Sequence, residues 1–282
     1  MPELPEVESI RRQLEPLLTG RYVSEADSHP SGKFTPAREI TGLGFEAVSR
    51  RGKFLLLHLD NGTEMVVHLG MTGQLLPCDD LSDPYLRAWW RLDNDLILGY
   101  RDVRRFGRIR IYSPGQYEGT LGNLGPEPLS GDFTADQFYA SLKASNRKIK
   151  TQLLSQRPVA GVGNIYADEA CFRAGIYPGV RKLTKAKTAA LHESIRYVLT
   201  MAVANGGTTL RDYVNAEGKK GNNQFYLECY GRDGEPGVKC GQILRRVGID
   251  GRGTTFCKSC QARGMLRAVP ASHTLIGRSL RH

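Results

Sequence analysis

The sequence predicts an α+β protein of several parts: a β-sandwich or barrel with flanking helices, then a helical region, then a C-terminal β-hairpin ribbon. Three observations carry this prediction. From 21 to 112, short strand-like segments alternate with turn sequences. From 134 to about 206, apolar residues recur at helical spacing. Four of the six cysteines, Cys229, Cys240, Cys257 and Cys260, crowd into the last quarter of the chain. The 282 residues suggest about two domains and are ample for a hydrophobic core.

The elements follow in order. Residues 5–18 (PEVESIRRQLEPLL) carry apolar residues at helical spacing behind an acidic tip. The segments Lys53–Leu59, Glu64–Leu69, Ala88–Leu92, Leu96–Tyr100 and Arg108–Tyr112 read as strands, bounded by Asn-Gly, Pro-Cys-Asp-Asp and Asp-Asn-Asp turns. A stretch rich in Gly and Pro, Ser113–Asp132, reads as a linker. Helices are expected at Ala135–Ala144, Ile149–Ser155, Tyr166–Ala174 and Lys185–Ala204. A polar, Gly-rich loop, Asn205–Asn223, leads to an apparent strand at Gln224–Tyr230 and then the ribbon, which ends at Cys260. The domain boundaries expected are 1–131, 132–225, 226–261 and a basic tail, 262–282.

Lys and Arg number 39 against 29 Asp and Glu, a net charge of +10. This favours a polyanionic partner such as nucleic acid. Residues 226–282 hold ten Lys or Arg against four acids, and 261–282 holds no acid. Hydrophobic residues at 40% and charged residues at 24% exclude wholesale disorder. No apolar run of 18 residues exists to span a membrane, and MPELPEVESIRRQL has no apolar core of a secretory signal. The expectation is a cytoplasmic monomer without a membrane partner.

Clustered cysteines in such a chain suggest metal before disulfides. Cys257-Lys-Ser-Cys260 has knuckle spacing, but the matching upstream knuckle, Gly237-Val-Lys-Cys240, begins with glycine. Tetrahedral zinc wants four S or N ligands. Three thiols remain, Cys240, Cys257 and Cys260, with Cys229 a possible fourth and Asp233, Glu235 or His273 weaker candidates. The reading preferred is a ribbon that folds without zinc.

Five segments in order then carry a family resemblance: MPELPEVE at 1–8, HLGMTG at 68–73, DVRRFG at 102–107, GVGNIYADE at 161–169 and GRGTTFCKSCQ at 251–261. Over roughly residues 1–261 the chain resembles the formamidopyrimidine-DNA glycosylases. The resemblance implies a two-layer β-sandwich, a helix-two-turn-helix domain with a lesion-capping loop, and a zinc or zincless finger. It implies base-excision repair of oxidised purines (8-oxoguanine and formamidopyrimidines) in duplex DNA, with excision and strand nicking by β,δ-elimination through a Schiff base. The implied setting is the cytoplasm, at the nucleoid in a bacterial cell.

The implied site begins at Pro2. A small second residue permits removal of Met1, and an α-amine titrates near neutral pH, so it can attack carbon. Glu3 would supply or relay a proton, and Glu6 would help orient the site. Lys53 would assist elimination and contact phosphate. Met71, Arg104 and Phe106 resemble the residues that fill the gap left by an everted nucleotide. Asn164, at a glycine-rich helix start, would hold a phosphate, with Lys150, His68, Tyr230 and Arg246 adding contacts. Arg252 would grip the lesion phosphates and assist δ-elimination. Glu169 would support the site. The amine chemistry requires no diffusible cofactor.

The chain departs from the family pattern at Gly237, at Ser155, where an acid is common, and at Tyr85-Leu86-Arg87, where histidines are frequent. The alternatives are an endonuclease VIII-like enzyme for oxidised pyrimidines, a non-catalytic binder of damaged DNA, and a zinc-ribbon regulator. The last leaves the N-terminal segment unexplained.

Overall fold

The computed structural model describes residues 1–261; the expected tail lies outside them, as does His273. The first helix, α1 (Leu4–Leu18), starts just behind the site of the expected nucleophile. Pro5 sits in its first turn, where no intrahelical N–H is needed. Glu6 turns back to accept the Glu3 backbone N–H at 2.7 Å. Val7, Ile10, Leu14 and Leu18 form the apolar stripe and are fully buried.

Eight strands follow: β1 (Val23–Ser28), β2 (Phe45–Arg51), β3 (Phe54–Leu59), β4 (Glu64–His68), β5 (Gly73–Pro77), β6 (Leu86–Leu92), β7 (Ile97–Asp102) and β8 (Arg108–Tyr112). They make two antiparallel four-stranded sheets, ordered β1-β6-β7-β5 and β2-β3-β4-β8. Period-two alternation decides the faces. Leu55, Leu57 and Leu59 of β3 point into the layer shared with Trp90, Leu98 and Tyr100 of the other sheet and with α1. Three strands add to those expected. β1 (VSEADS) is a polar edge strand, and β2 and β5 carry mixed patterns.

The expected linker is packed. Its short helix α2 (Gly119–Gly122) lays Leu121 on Leu56 and Val66, on the outer face of the second sheet. Glu127 accepts from Arg50 at 2.7 Å, Arg51 at 3.0 Å and the Gly52 N–H at 2.6 Å. The helical region then runs α3 (Ala135–Lys143), α4 (Ile149–Leu154), α5 (Asn164–Arg173) and α6 (Lys185–Ala204). Thr134 and Thr184 cap α3 and α6 through their side chains. These helices enclose a second core around Phe138, Leu153, Tyr166, Leu191 and Ile195. Leu4 of α1 belongs to this second core, while Val7 onward belongs to the first. The start of α1 is therefore pinned where the two cores meet.

The expected strand at Gln224–Tyr230 is corrected. A 3₁₀ turn spans Asn223–Tyr226, and the backbone N–H groups of Glu228, Cys229 and Tyr230 are taken by the Glu169 carboxylate at 3.0, 2.8 and 2.6 Å. Donors held by a carboxylate are lost to a strand ladder. The ribbon is β9 (Arg245–Ile249) paired with β10 (Arg252–Phe256). Its two-residue turn, Asp250-Gly251, has φ of 45° and 77°, the twist that suits a tight hairpin. Among the described residues no helix is long and apolar enough to cross a membrane.

Candidate active site

The N-terminus, the β2–β3 turn and the start of α5 converge. Glu3 is buried, and its carboxylate accepts the N–H groups of Gly163 at 2.6 Å, Ile165 at 2.9 Å and Tyr166 at 3.4 Å. These are the free donors of a helix N-terminus, where the dipole also favours an anion. The glycines of GVGNIY permit the approach. Gly161 has φ +81°, and a Cβ there would lie 2.5 Å from Leu4; one on Gly163 would lie 2.3 Å from Glu3 Cδ.

Glu6 is buried beside it. It accepts from the Tyr166 hydroxyl at 2.6 Å and from the Thr208 N–H at 2.7 Å. Burial, then the neighbouring Glu3 charge, raises its pKa above the usual carboxylate range. Lys53 is also buried, at the turn between β2 and β3. Burial pushes its ammonium below the usual lysine range; Glu3 and Glu6 oppose the shift and Arg252 adds to it. Met1 precedes Pro2, and burial lowers its α-amine as well. Met1, Lys53, Phe54, His68, Arg108 and Arg110 help line a cleft of about 430 Å³. The His68 ring packs on Phe54 at 4.7 Å, and burial lowers its pKa to about 4. It is neutral near pH 7, with Nδ1 accepting from the Gly70 N–H at 3.3 Å.

Met71, Arg104 and Phe106 lie together, on the loop before β5 and the loop before β8. The Arg104 guanidinium stands 4.6 Å over the Phe106 ring and donates to Met71 Sδ at 3.3 Å. Met71 is 39% and Phe106 47% exposed, which suits surface tips rather than core. The loops beneath are locked: Thr72 Oγ1 donates to Asp102 at 2.6 Å and accepts from the Arg104 N–H at 3.0 Å, and Asp102 accepts from the Gly107 N–H at 2.8 Å. Gly70 and Gly107 meet with no room for a Cβ.

Asn164 opens α5. Its Nδ2 donates to the Tyr230 hydroxyl at 3.3 Å, while its buried Oδ1 has no partner among the described residues. Arg252 is exposed at the start of β10. Arg246, on β9, pairs in register with Thr255, and its guanidinium lies over Gly253.

Two of the expected site residues have their polar atoms committed to other parts of the protein. Lys150 is buried, and its ammonium is spent on Asp168 at 2.6 Å, the Gly253 carbonyl at 2.9 Å and Thr254 Oγ1 at 2.9 Å. All three donors are used, so it docks α4 and α5 against the ribbon instead of facing a phosphate. Glu169, expected to support the site, gives its oxygens to the backbone of the segment before the ribbon. Arg87 is likewise committed inward, to the Asp102 and Pro84 carbonyls at 2.8 and 2.9 Å.

Sequence reasoning misses Tyr166, Thr208, Asp102 and Thr72. Tyr166 stands inside GVGNIY and Asp102 opens DVRRFG, so position within those segments is the available signal. Thr208 has none, being 202 residues from Glu6 in sequence.

In the ribbon, the Sγ atoms of Cys240, Cys257 and Cys260 all lie within 4.8 Å of one another. Zinc–sulfur bonds of about 2.3 Å put tetrahedral sulfurs about 3.8 Å apart, so three corners fit a zinc ion. The fourth corner has no donor among the described residues. Cys229 is excluded: it is buried and donates to the Thr255 carbonyl at 3.1 Å. Glu235 pairs with Arg232 at 2.8 Å.

Comparison with known proteins gives consistent matches. A model of the formamidopyrimidine-DNA glycosylase N-terminal domain matches residues 1–109, one of that family's H2TH domain matches 124–214, and a zinc finger found in FPG and IleRS matches 234–263. The formamidopyrimidine-DNA glycosylase of Bacillus licheniformis is 44% identical over 276 residues, covering 93% of this chain and 100% of the relative. The crystal structure of MutM (FPG) from Thermus thermophilus superposes with a TM-score of 0.87 at 42% identity, covering 94% of this chain and 100% of the other. A structure of MutM in complex with DNA containing carbocyclic 8-oxo-G superposes with a TM-score of 0.84 at 34% identity, covering 93% of this chain and 100% of the other.

Proposed function

We propose residue roles and a mechanism for this chain from the premise that it belongs to the formamidopyrimidine-DNA glycosylase family. It is a DNA glycosylase of base-excision repair that removes oxidised purines from damaged double-stranded DNA, and the family carries AP lyase activity as well. The observation that carries the reading is the convergence of the N-terminus, Glu3, Glu6 and Lys53 on the first turn of α5.

With Met1 removed, the Pro2 nitrogen attacks C1′ of the everted nucleotide. The glycosidic bond breaks and the base leaves with its electron pair and a proton. The ring C1′–O4′ bond then opens, O4′ leaving with its electron pair and taking a proton while the Pro2 nitrogen lone pair forms a C1′ iminium. This acidifies the C2′ hydrogen, and loss of that proton expels the 3′ phosphate; a second elimination expels the 5′ phosphate. Glu3, fixed at both oxygens, handles the proton of the sugar ring oxygen. Lys53, its ammonium destabilised by burial, takes and returns protons during elimination. Met71, Arg104 and Phe106 occupy the space the nucleotide vacates. Arg252, Arg246, Asn164, Tyr230 and a neutral His68 hold the backbone.

Cys240, Cys257 and Cys260 would hold zinc, whose part there is structural, cross-linking the two knuckles. The reaction needs no diffusible cofactor. Leu244 packs with Phe172, Cys229 and Cys257 in a small apolar core that supports a ribbon folding without metal. The domain limits 1–131, 132–225 and 226–261, a monomeric state and a cytoplasmic setting belong to the same reading. Cleavage of duplexes holding 8-oxoguanine opposite cytosine, against thymine glycol, tests it. Preferential nicking of the first supports the purine reading; preference for thymine glycol refutes it.

A further inference from the structure

We infer that the ribbon is a three-thiolate metal site whose fourth coordination position is open to a small external ligand. The inference goes beyond the repair activity and does not depend on it. Both knuckles keep the backbone shape of a metal site. The Gly237 N–H donates to the Gln242 carbonyl at 2.9 Å, and the Gly241 N–H donates to the Gly237 carbonyl at 2.8 Å. In the second knuckle, the Cys260 N–H donates to Cys257 Sγ at 3.3 Å. Amides aimed at sulfur stabilise the thiolate that a metal needs. Cys240 and Cys257 already stand 3.5 Å apart.

The missing corner belongs to Gly237. Leu244 forms its inner wall: a Cβ on Gly237 would lie 3.1 Å from Leu244 Cδ2 and 3.3 Å from the Gln242 carbonyl. Among the described residues neither side offers a sulfur or nitrogen ligand. Cys240 is exposed and Cys260 partly so, which leaves the centre reachable from solvent. Three thiolates on a divalent ion leave one negative charge. The Lys239 ammonium beside the cluster, held by the Phe172 and Arg173 carbonyls at 3.2 and 2.8 Å, offsets it. Such a centre takes zinc or another thiophilic ion with water in the fourth place, which an imidazole or a thiol can displace. With one thiolate fewer than a closed site, it releases its metal more readily on dialysis.

The test titrates cobalt(II) as a spectroscopic substitute into the full chain, reduced with a phosphine and desalted without oxygen. The expected result is one equivalent bound with a thiolate-to-cobalt charge-transfer band, and visible bands that shift saturably on adding imidazole. Gly237→Cys, whose new side chain needs a few tenths of an ångström from the end of Leu244 and from the Gln242 carbonyl, should give a spectrum imidazole does not move. Cys260→Ser should weaken the charge-transfer band. No charge-transfer band in the wild-type chain would overturn the inference, because the thiols then hold no metal. Wild-type bands that imidazole leaves unmoved would overturn it too, because the fourth position is then filled. Borohydride trapping on lesion DNA, run alongside, reports separately on the glycosylase reading.

Discussion

A methyl group on Gly163 would sit 2.3 Å from Glu3 Cδ and 2.6 Å from Lys53 Nζ. Glu3, held at both oxygens by the first turn of α5, cannot give way without losing those bonds, and Lys53 would have to withdraw its ammonium. Gly163→Ala is therefore expected to cut single-turnover excision by at least about 10²-fold, the scale of a misplaced acid–base group, while circular dichroism stays near wild type. Full activity would show that the site tolerates displacement. His68 makes a second prediction. Its folded pKa of about 4 lies below the usual value near 6.5. Between those limits the unfolded chain binds more protons, so stability falls as pH drops from about 6.5 to 4 and levels off below. His68→Gln should flatten that slope in urea titrations across the range; an unchanged slope would assign it to other groups. Residue roles are only partly legible in the sequence. Glu3 and Pro2 are local to one segment, whereas the Thr208 contact to Glu6 joins segments 202 residues apart and leaves no local pattern.

Among the elements, α6 is legible at both ends, Lys185–Ala204, because a 20-residue helix displays its period several times over. β8 (Arg108–Tyr112) matches its expected limits as well. β1 escapes sequence reading because an edge strand facing solvent needs no apolar alternation. The false strand at Gln224–Tyr230 comes from local composition, and the Glu169 carboxylate on α5 overrides it from afar. The same docking explains Lys150. Its ion pair with Asp168 is fully buried, and removing one partner from such a pair costs about 3–5 kcal/mol. Lys150→Met should lower stability by that order in urea unfolding, and Lys150→Met with Asp168→Leu should recover much of it. Unchanged stability with a reduced salt slope of DNA binding would instead restore a phosphate role.

Across the whole molecule, two cores and a ribbon each give a few residues to one place. α1 joins the cores through Leu4 and Val7, and its first residues arrive where α5 begins. The net charge of +10 supplies a sequence-blind attraction to phosphate, and in the proposed roles the uncharged Met71 and Phe106 replace the lost stacking. In the proposed mechanism the chemistry rests on the α-amine that Pro2 exposes once Met1 is gone. The most direct measurement is borohydride trapping on an 8-oxoguanine duplex followed by peptide mapping of the adduct. The account predicts one covalent DNA adduct per chain, on the Pro2 amine. An adduct on Lys53 or any other lysine, or no adduct from an active preparation, would contradict it.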